Sequence, residues 1–285
     1  MSKTISIAYS TCPNDTFIFY ALAHKKIVTD ILFEIQLEDV ESLNQSAKSK
    51  KFDVSKLSFA AIGHLLETYG LLHCGAALGR GCGPMVVARP GFDLSRLINK
   101  SIAVPGLWTT ANMLLNLYIS EQSAGKSSWR YDIASVPFDR IMPLVKNGRF
   151  DFGVIIHEGR FTYREYGLVS LLDLGAWWEK TSLAPIPLGG IAIRRDLPEE
   201  TVKAVEKAIY DSILYALANR DETYDYIKKY SQEMSLSVIR QHIDLYVNDF
   251  TVNTGDEGER AIHRLFNMAR KYNMLPETDL PVFAS

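Results

Sequence analysis

The strongest constraint in this sequence is a beat that runs, pauses and starts again. Residues 4–9 read as a strand, 17–23 as an apolar helix, 32–37 as a strand, 40–50 as a more polar helix, 53–57 as a strand and 59–69 as a helix. Strands that alternate with helices pair in parallel, because each crossover must lay a helix over the sheet before the next strand can join it. The runs at 71–78 and 84–88 bracket the glycine-rich segment 79–83, Pro84 leads into a strand, and the beat resumes after Arg89-Pro90-Gly91. There a strand at 101–104 precedes a helix at 110–120, a strand at 131–136, a helix at 138–147 and a strand at 150–156. Pro185-Ile186-Pro187-Leu188-Gly189-Gly190 reads as a return crossing into a strand at 190–194. From Pro198 the chain carries apolar residues at helical spacing over 199–218, 222–230, 235–248 and 255–272,.

Two α/β units joined by two crossings make a two-lobed molecule. Residues 1–90 and 189–285 are expected to form one discontinuous α/β lobe with a helical carboxyl-terminal part, and 91–188 a smaller one. This is the plan of the type II periplasmic-binding-protein-like fold, which closes on a small molecule held in the cleft between its lobes. The carboxyl-terminal helices are the surface left for a homodimer.

Composition narrows the partners. A net charge of −2 and a pI near 6.3 provide no basic surplus for phosphate backbones or anionic lipid,. Nucleic acid and membrane are therefore not expected partners. No stretch reaches the roughly 18 apolar residues of a membrane span, and residues 1–10 enter a strand pattern without the apolar core of a secretory signal, so a cytoplasmic protein is expected. Cys12, Cys74 and Cys82 have neither an even count nor metal-ligand spacing, which points to reduced thiols with no metal,.

The chemistry concentrates where periodic segments stop. The run Val154-Ile155-Ile156 ends in His157-Glu158-Gly159, and a polar residue at the carboxyl end of a buried strand faces a crevice,. His157 there either satisfies a neighbouring carbonyl or acts as a base near neutral pH. Lys56-Leu57-Ser58 and Thr109-Thr110-Ala111 each open a helix, whose free amides and hydroxyls seat a carboxylate; Ser58 and Thr110 can cap, bind, or do both. Asn14 and Asp15 stand on a third loop of the rim and are expected to cap the helix that follows. Gly79-Arg80-Gly81-Cys82-Gly83 lacks phosphate-loop spacing and calls for tight turning or close backbone approach. Arg80 and Arg160 either add charge to the cleft or form surface ion pairs. Trp177-Trp178 reads as core or cleft wall, and His242 and His263, alone on their helices, as packing or surface residues.

Taken together, Ser10-Thr11-Cys12-Pro13-Asn14-Asp15-Thr16-Phe17, Lys56-Leu57-Ser58, Gly75 to Gly81, Val104-Pro105-Gly106 with Thr109-Thr110-Ala111, and Ile155 to Tyr163 resemble the 1,4-dihydroxy-6-naphthoate synthase family of the futalosine route to menaquinone. The resemblance implies a carbon–carbon lyase that converts cyclic dehypoxanthine futalosine to 1,4-dihydroxy-6-naphthoate without metal or organic cofactor. It also implies the two-lobed fold. His157 matches the family's proposed base, and Lys56, Leu57, Ser58, Thr110 and Ala111 match its substrate-contacting positions. The alternatives are chorismate dehydratase, the sister activity on the same fold, and a solute-binding protein that leaves its ligand unchanged.

Overall fold

The computed structural model describes residues 3–94, 100–122, 132–231 and 235–284. Eleven strands form two sheets: β1 Lys3–Ser10, β2 Ile31–Glu38, β3 Val54–Ser58, β4 Tyr69–Leu71, β5 Ala77–Gly79, β6 Met85–Ala88, β7 Ser101–Val104, β8 Asp132–Ser135, β9 Phe152–Ile155, β10 Val169–Asp173 and β11 Ile186–Arg194. The first sheet has the order β2-β1-β3-β11-β4, with β5 also on β11; the second has the order β10-β6-β9-β7-β8. In each sheet the expected strand–helix–strand pairs are parallel, β1 on β2 and β3, and β7 on β8 and β9. The strands that enter or return across the molecule, β6 and β11, are antiparallel to their neighbours.

Strands β3, β4, β6 and β9 are buried along their whole length, whereas edge strand β2 alternates. Helices on both faces cover the former, while the latter keeps one face wet. The largest apolar cluster passes through both sheets, joining Leu57, Phe59 and Leu71 to Val86, Ile102, Val104 and Phe152. Trp178 is fully buried, and its indole N–H donates to the Pro185 carbonyl at 3.0 Å. The Trp177-Trp178 pair lies on the Leu174–Ser182 helix, with Trp177 set edge-on against Tyr118.

Several expectations need correction. Because β6 pairs with β9 and β10, the first crossing falls at 80–84, not at Arg89-Pro90-Gly91, so the second sheet begins before residue 91. The return strand starts at Ile186, earlier than residue 190. The bracketing run 71–78 touches two short strands, β4 and β5, both laid on β11. Of the strand expected at 131–136, Tyr131 lies outside the described residues. The helix expected at 17–23 begins at Pro13 and breaks at Phe19. By contrast the helix at Glu199–Ala218 falls where its spacing places it.

The crossing at 80–84 shows why glycine is needed there. A Cβ on Gly83 would sit 2.3 Å from the Gly175 Cα, while Gly81 has open space but a φ of +69°. Two different costs follow. Gly83→Ala should lower the unfolding free energy by about 1–3 kcal/mol through overpacking, and Gly81→Ala by about 1–2 kcal/mol through left-handed backbone strain alone. Urea midpoints of the two variants measure this.

Candidate active site

Between the sheets lies a cavity of about 80 Å³ whose wall takes residues from both. Asn14, Asp15, Lys56, Leu57 and Ser58 reach it from the first sheet, and Thr109, Thr110, Ala111 and His157 from the second. All nine residues singled out in the sequence therefore meet in one place, but several are used differently from expectation.

Asp15 does not cap its helix. Its carboxylate turns inward, where Oδ2 accepts from the Ser10 hydroxyl at 2.7 Å and from the Ser10 N–H at 3.3 Å. Oδ1 accepts from Lys56 Nζ at 2.6 Å and from Asn14 Nδ2 at 2.9 Å. Neither member of the Asp15–Lys56 pair is more than 7% exposed. A buried carboxylate demands compensation of this kind, and tertiary donors have won over the local cap. Asn14, likewise, spends its Oδ1 on the ring of His242, at 2.9 Å from Nε2.

Leu57 supplies apolar wall at 1% exposure. Ser58 precedes the helix Phe59–His64 without capping it; its N–H donates to Asn44 Oδ1 at 3.0 Å and its hydroxyl oxygen accepts from Asn44 Nδ2 at 3.1 Å. Thr109 does cap, since its Oγ1 accepts from the Asn112 N–H at 3.2 Å. The Thr110 hydroxyl donates to the Leu188 carbonyl at 2.7 Å and accepts from the Ala60 N–H at 3.2 Å, which ties the two helix starts together. With both threonine hydroxyls engaged, the first amides of the Thr110–Gln122 helix, those of Thr110 and Ala111, which have no acceptor within it, and the Ser58 O–H can donate to a ligand's oxygens,.

His157 sits just past the end of β9, at a φ of +53°. The chain turns there into the short helix Gly159–Thr162, and the imidazole joins the cavity wall,. Phe138 makes a T-shaped contact with the ring, with centroids 5.4 Å apart, and Nε2 is buried with no hydrogen-bond partner among the described residues. Burial lowers its pKa to about 4, with Lys56 adding to the effect and Asp15 opposing it. The ring is therefore neutral near pH 7, with a lone pair on one nitrogen, which is the state a general base requires.

His242, expected to be packing or surface, is fully buried and stacks on His157, with ring centroids 6.0 Å apart and planes 27° apart. Its signal was visible only as position: it falls on the apolar face of the Leu236–Tyr246 helix, beside Ile239, Ile243 and Tyr246. His263 is exposed. The two arginines are structural: Arg80 pairs with Glu257 at the surface, and Arg160 donates to the Gly83 carbonyl at 2.6 Å and to Asp173 at 2.8 Å. Burial raises the pKa of the Cys12 thiol and of the Tyr246 phenol, and the Glu158 charge adds to both shifts. Among the described residues no cluster of His, Cys, Asp or Glu could hold a metal, and no helix is long and apolar enough to cross a membrane.

Trp108, on the loop before the second helix start, is gripped by the first lobe. Its backbone N–H donates to Glu41 Oε2 at 3.3 Å, its ring stacks on His64 with centroids 4.8 Å apart, and Lys48 Nζ sits 3.8 Å above it.

A protein-family model described as menaquinone biosynthesis matches residues 5–271. The 1,4-dihydroxy-6-naphtoate synthase of Thermus thermophilus is 44% identical over 281 residues, covering 99% of each chain. The enzyme of the same name from Streptomyces coelicolor is 39% identical over 275 residues, covering 96% of each. A crystal structure of a protein from Archaeoglobus fulgidus superposes with a TM-score of 0.88 at 37% identity, covering 95% of this chain and 98% of that one. The periplasmic aliphatic sulphonate binding protein of Escherichia coli shares the fold alone, with a TM-score of 0.66 at 12% identity, covering 97% of this chain and 90% of that one.

The depressed pKa has a thermodynamic signature. Above pH 6.5 the His157 ring is neutral in both folded and unfolded chains; between 6.5 and about 4 only the unfolded chain binds the proton, so stability falls as pH falls,. From pH 7.5 to 5 this ring should remove up to about 2 kcal/mol of unfolding free energy. Urea titrations at both pH values should show a correspondingly smaller drop for His157→Asn, since asparagine tolerates the left-handed backbone.

Proposed function

The chain belongs to the menaquinone-biosynthesis family, and from that premise we propose that it is a carbon–carbon lyase, a 1,4-dihydroxy-6-naphthoate synthase, with His157 as its general base. The substrate on this reading is cyclic dehypoxanthine futalosine. The observation that carries it is the His157 imidazole, neutral and with a buried, unpartnered Nε2, in a wall shared by both lobes. Relatives matched along nearly the whole chain bear the synthase name.

The chain's own groups divide the work. Thr110 and Ala111 amides, with the Ser58 hydroxyl, seat the aromatic carboxylate; Lys56 is neutralised by Asp15 and serves to hold the wall in shape,. His157 Nε2 takes a proton from a hydroxyl of the sugar-derived ring. The alkoxide collapses to a carbonyl as the adjacent carbon–carbon bond breaks; the electron pair released forms a ring double bond by expelling an oxygen substituent from the next ring carbon, which leaves with a proton as water or its equivalent, and the second ring of the naphthoate becomes aromatic. Nothing in that step calls for a metal or an organic cofactor.

A cavity of about 80 Å³ is far below the roughly 300 Å³ or more that ligands of this size occupy, so the lobes part to admit substrate,. The lobes are the two sheets with their helices, and the hinge lies in the crossings at 80–84 and 183–185. Turnover then follows closure, with Trp108 regripped and bulk water expelled. The same reading places the reaction in the cytoplasm. A homodimer would close on the exposed stripe of Tyr210, Leu214 and Leu217 along the Glu199–Ala218 helix.

Incubation of the purified protein with cyclic dehypoxanthine futalosine, followed by mass spectrometry, should yield 1,4-dihydroxy-6-naphthoate, while chorismate is left intact. His157→Asn should lower kcat by roughly two to four orders of magnitude with the fold preserved. Near-full turnover in that variant removes the base from the mechanism. Tight binding with the ligand recovered unchanged would instead mark a solute-binding protein.

A further inference from the structure

A second imidazole lies beneath the first, and the bonds around it settle its chemical state. The Asn14 amide is oriented by its own donation, because the carboxylate of Asp15 can only accept and Nδ2 must face it at 2.9 Å,. Asn14 Oδ1 is then an acceptor, so His242 Nε2, 2.9 Å away, carries the proton. Its other nitrogen, Nδ1, is a bare lone pair with no donor among the described residues, in a side chain that solvent does not reach. Nothing placed at either nitrogen favours a charged ring. The carboxylate of Asp15 is one residue removed through Asn14 and already bound by Lys56 and Ser10. The other groups facing the ring are uncharged: Tyr246 at 4.5 Å and His157 at 6.0 Å between centroids.

We propose that His242 is a positioning residue, an uncharged aromatic floor that holds the His157 ring in its place in the cavity wall. The proposal rests on the reading of His157 as the base and deepens it. His157 needs such support because it sits in a left-handed turn and makes no hydrogen bond through Nε2 that would fix its ring. Two rings flank it, Phe138 in a T-shaped contact and His242 stacked,. A charged floor would repel the imidazolium that forms when the base takes its proton, and the Asn14 bond keeps the floor in the neutral Nε2–H form. His242 is absent from the cavity wall, so it acts through His157 and not on substrate.

The role separates from a merely structural one by which replacement rescues it. His242→Phe keeps a ring and gives up the Asn14 bond; His242→Gln keeps an N–H donor and gives up the ring. For the phenylalanine variant kcat should stay within roughly fivefold of wild type. The glutamine variant should lose roughly 10- to 100-fold in kcat with KM within about threefold. In the His157→Asn background His242→Gln should cost nothing further, since both act through one ring. A readout independent of turnover comes from ¹⁵N NMR of the imidazoles, with the His157 signals assigned by their loss in His157→Asn. In wild type His242 should appear as the neutral Nε2–H tautomer at pH 7. The His157 ring signals should persist in His242→Phe and shift or broaden in His242→Gln. Full activity in His242→Gln, or equal loss in both variants, overturns the proposal even if His157 proves essential. Retained turnover in His157→Asn sinks the base itself, and unchanged His157 signals in His242→Gln then remove the floor as well.

Discussion

One buried carboxylate organises this molecule. Asp15 gathers a serine from the end of β1, an asparagine from the first helix and a lysine from β3, and through Asn14 it reaches a histidine on a helix more than 200 residues later in the chain. An ionised group so enclosed is tolerable only while every donor is in place, and removing one leaves a charge without solvent or partner. The network therefore does more than fill space. It fixes the position of β1 against β3, the pose of the Leu236–Tyr246 helix, and with them the first-lobe wall of the cleft.

Against that wall the second lobe brings a histidine whose situation is the opposite. Asp15 is saturated with partners; His157 is deprived of them at Nε2 and stands on a backbone angle that few side chains adopt. Burial without a partner is costly for a polar atom, and such costs persist where a ligand later supplies what the protein withholds. The lowered pKa follows from the same enclosure, with the neighbouring Lys56 charge adding to it. A neutral base, two amides at a helix start and a grip on Trp108 that must release for entry fit a single cycle of opening, binding and closure.

Much of this was legible in the sequence, because strand–helix alternation and helix starts are local signals. The long helix at Glu199–Ala218 and the clustering of Lys56, Ser58, Thr109, Thr110 and His157 both followed from where periodic segments stop. What was not legible is what depends on partners far away in sequence. The run at Met85–Ala88 is equally apolar in either sheet, so its pairing with β9 could not be read from its residues, and the crossing was placed too late. Asn14 and Asp15 have the composition of caps, yet distant donors claimed them. His242 occupied an ordinary apolar-face position and became informative only once Asn14 and His157 stood beside it.

The central claim is that substrate binds with a hydroxyl of its sugar-derived ring presented to the side chain at position 157. The most direct measurement is a crystal structure of the His157→Asn protein soaked with cyclic dehypoxanthine futalosine. The account predicts an enlarged cleft closed over intact ligand, its carboxylate on the amides of Thr110 and Ala111 and a ring hydroxyl within about 4 Å of the replaced side chain. A ligand bound elsewhere, or one whose hydroxyls all point away from that residue, would contradict it.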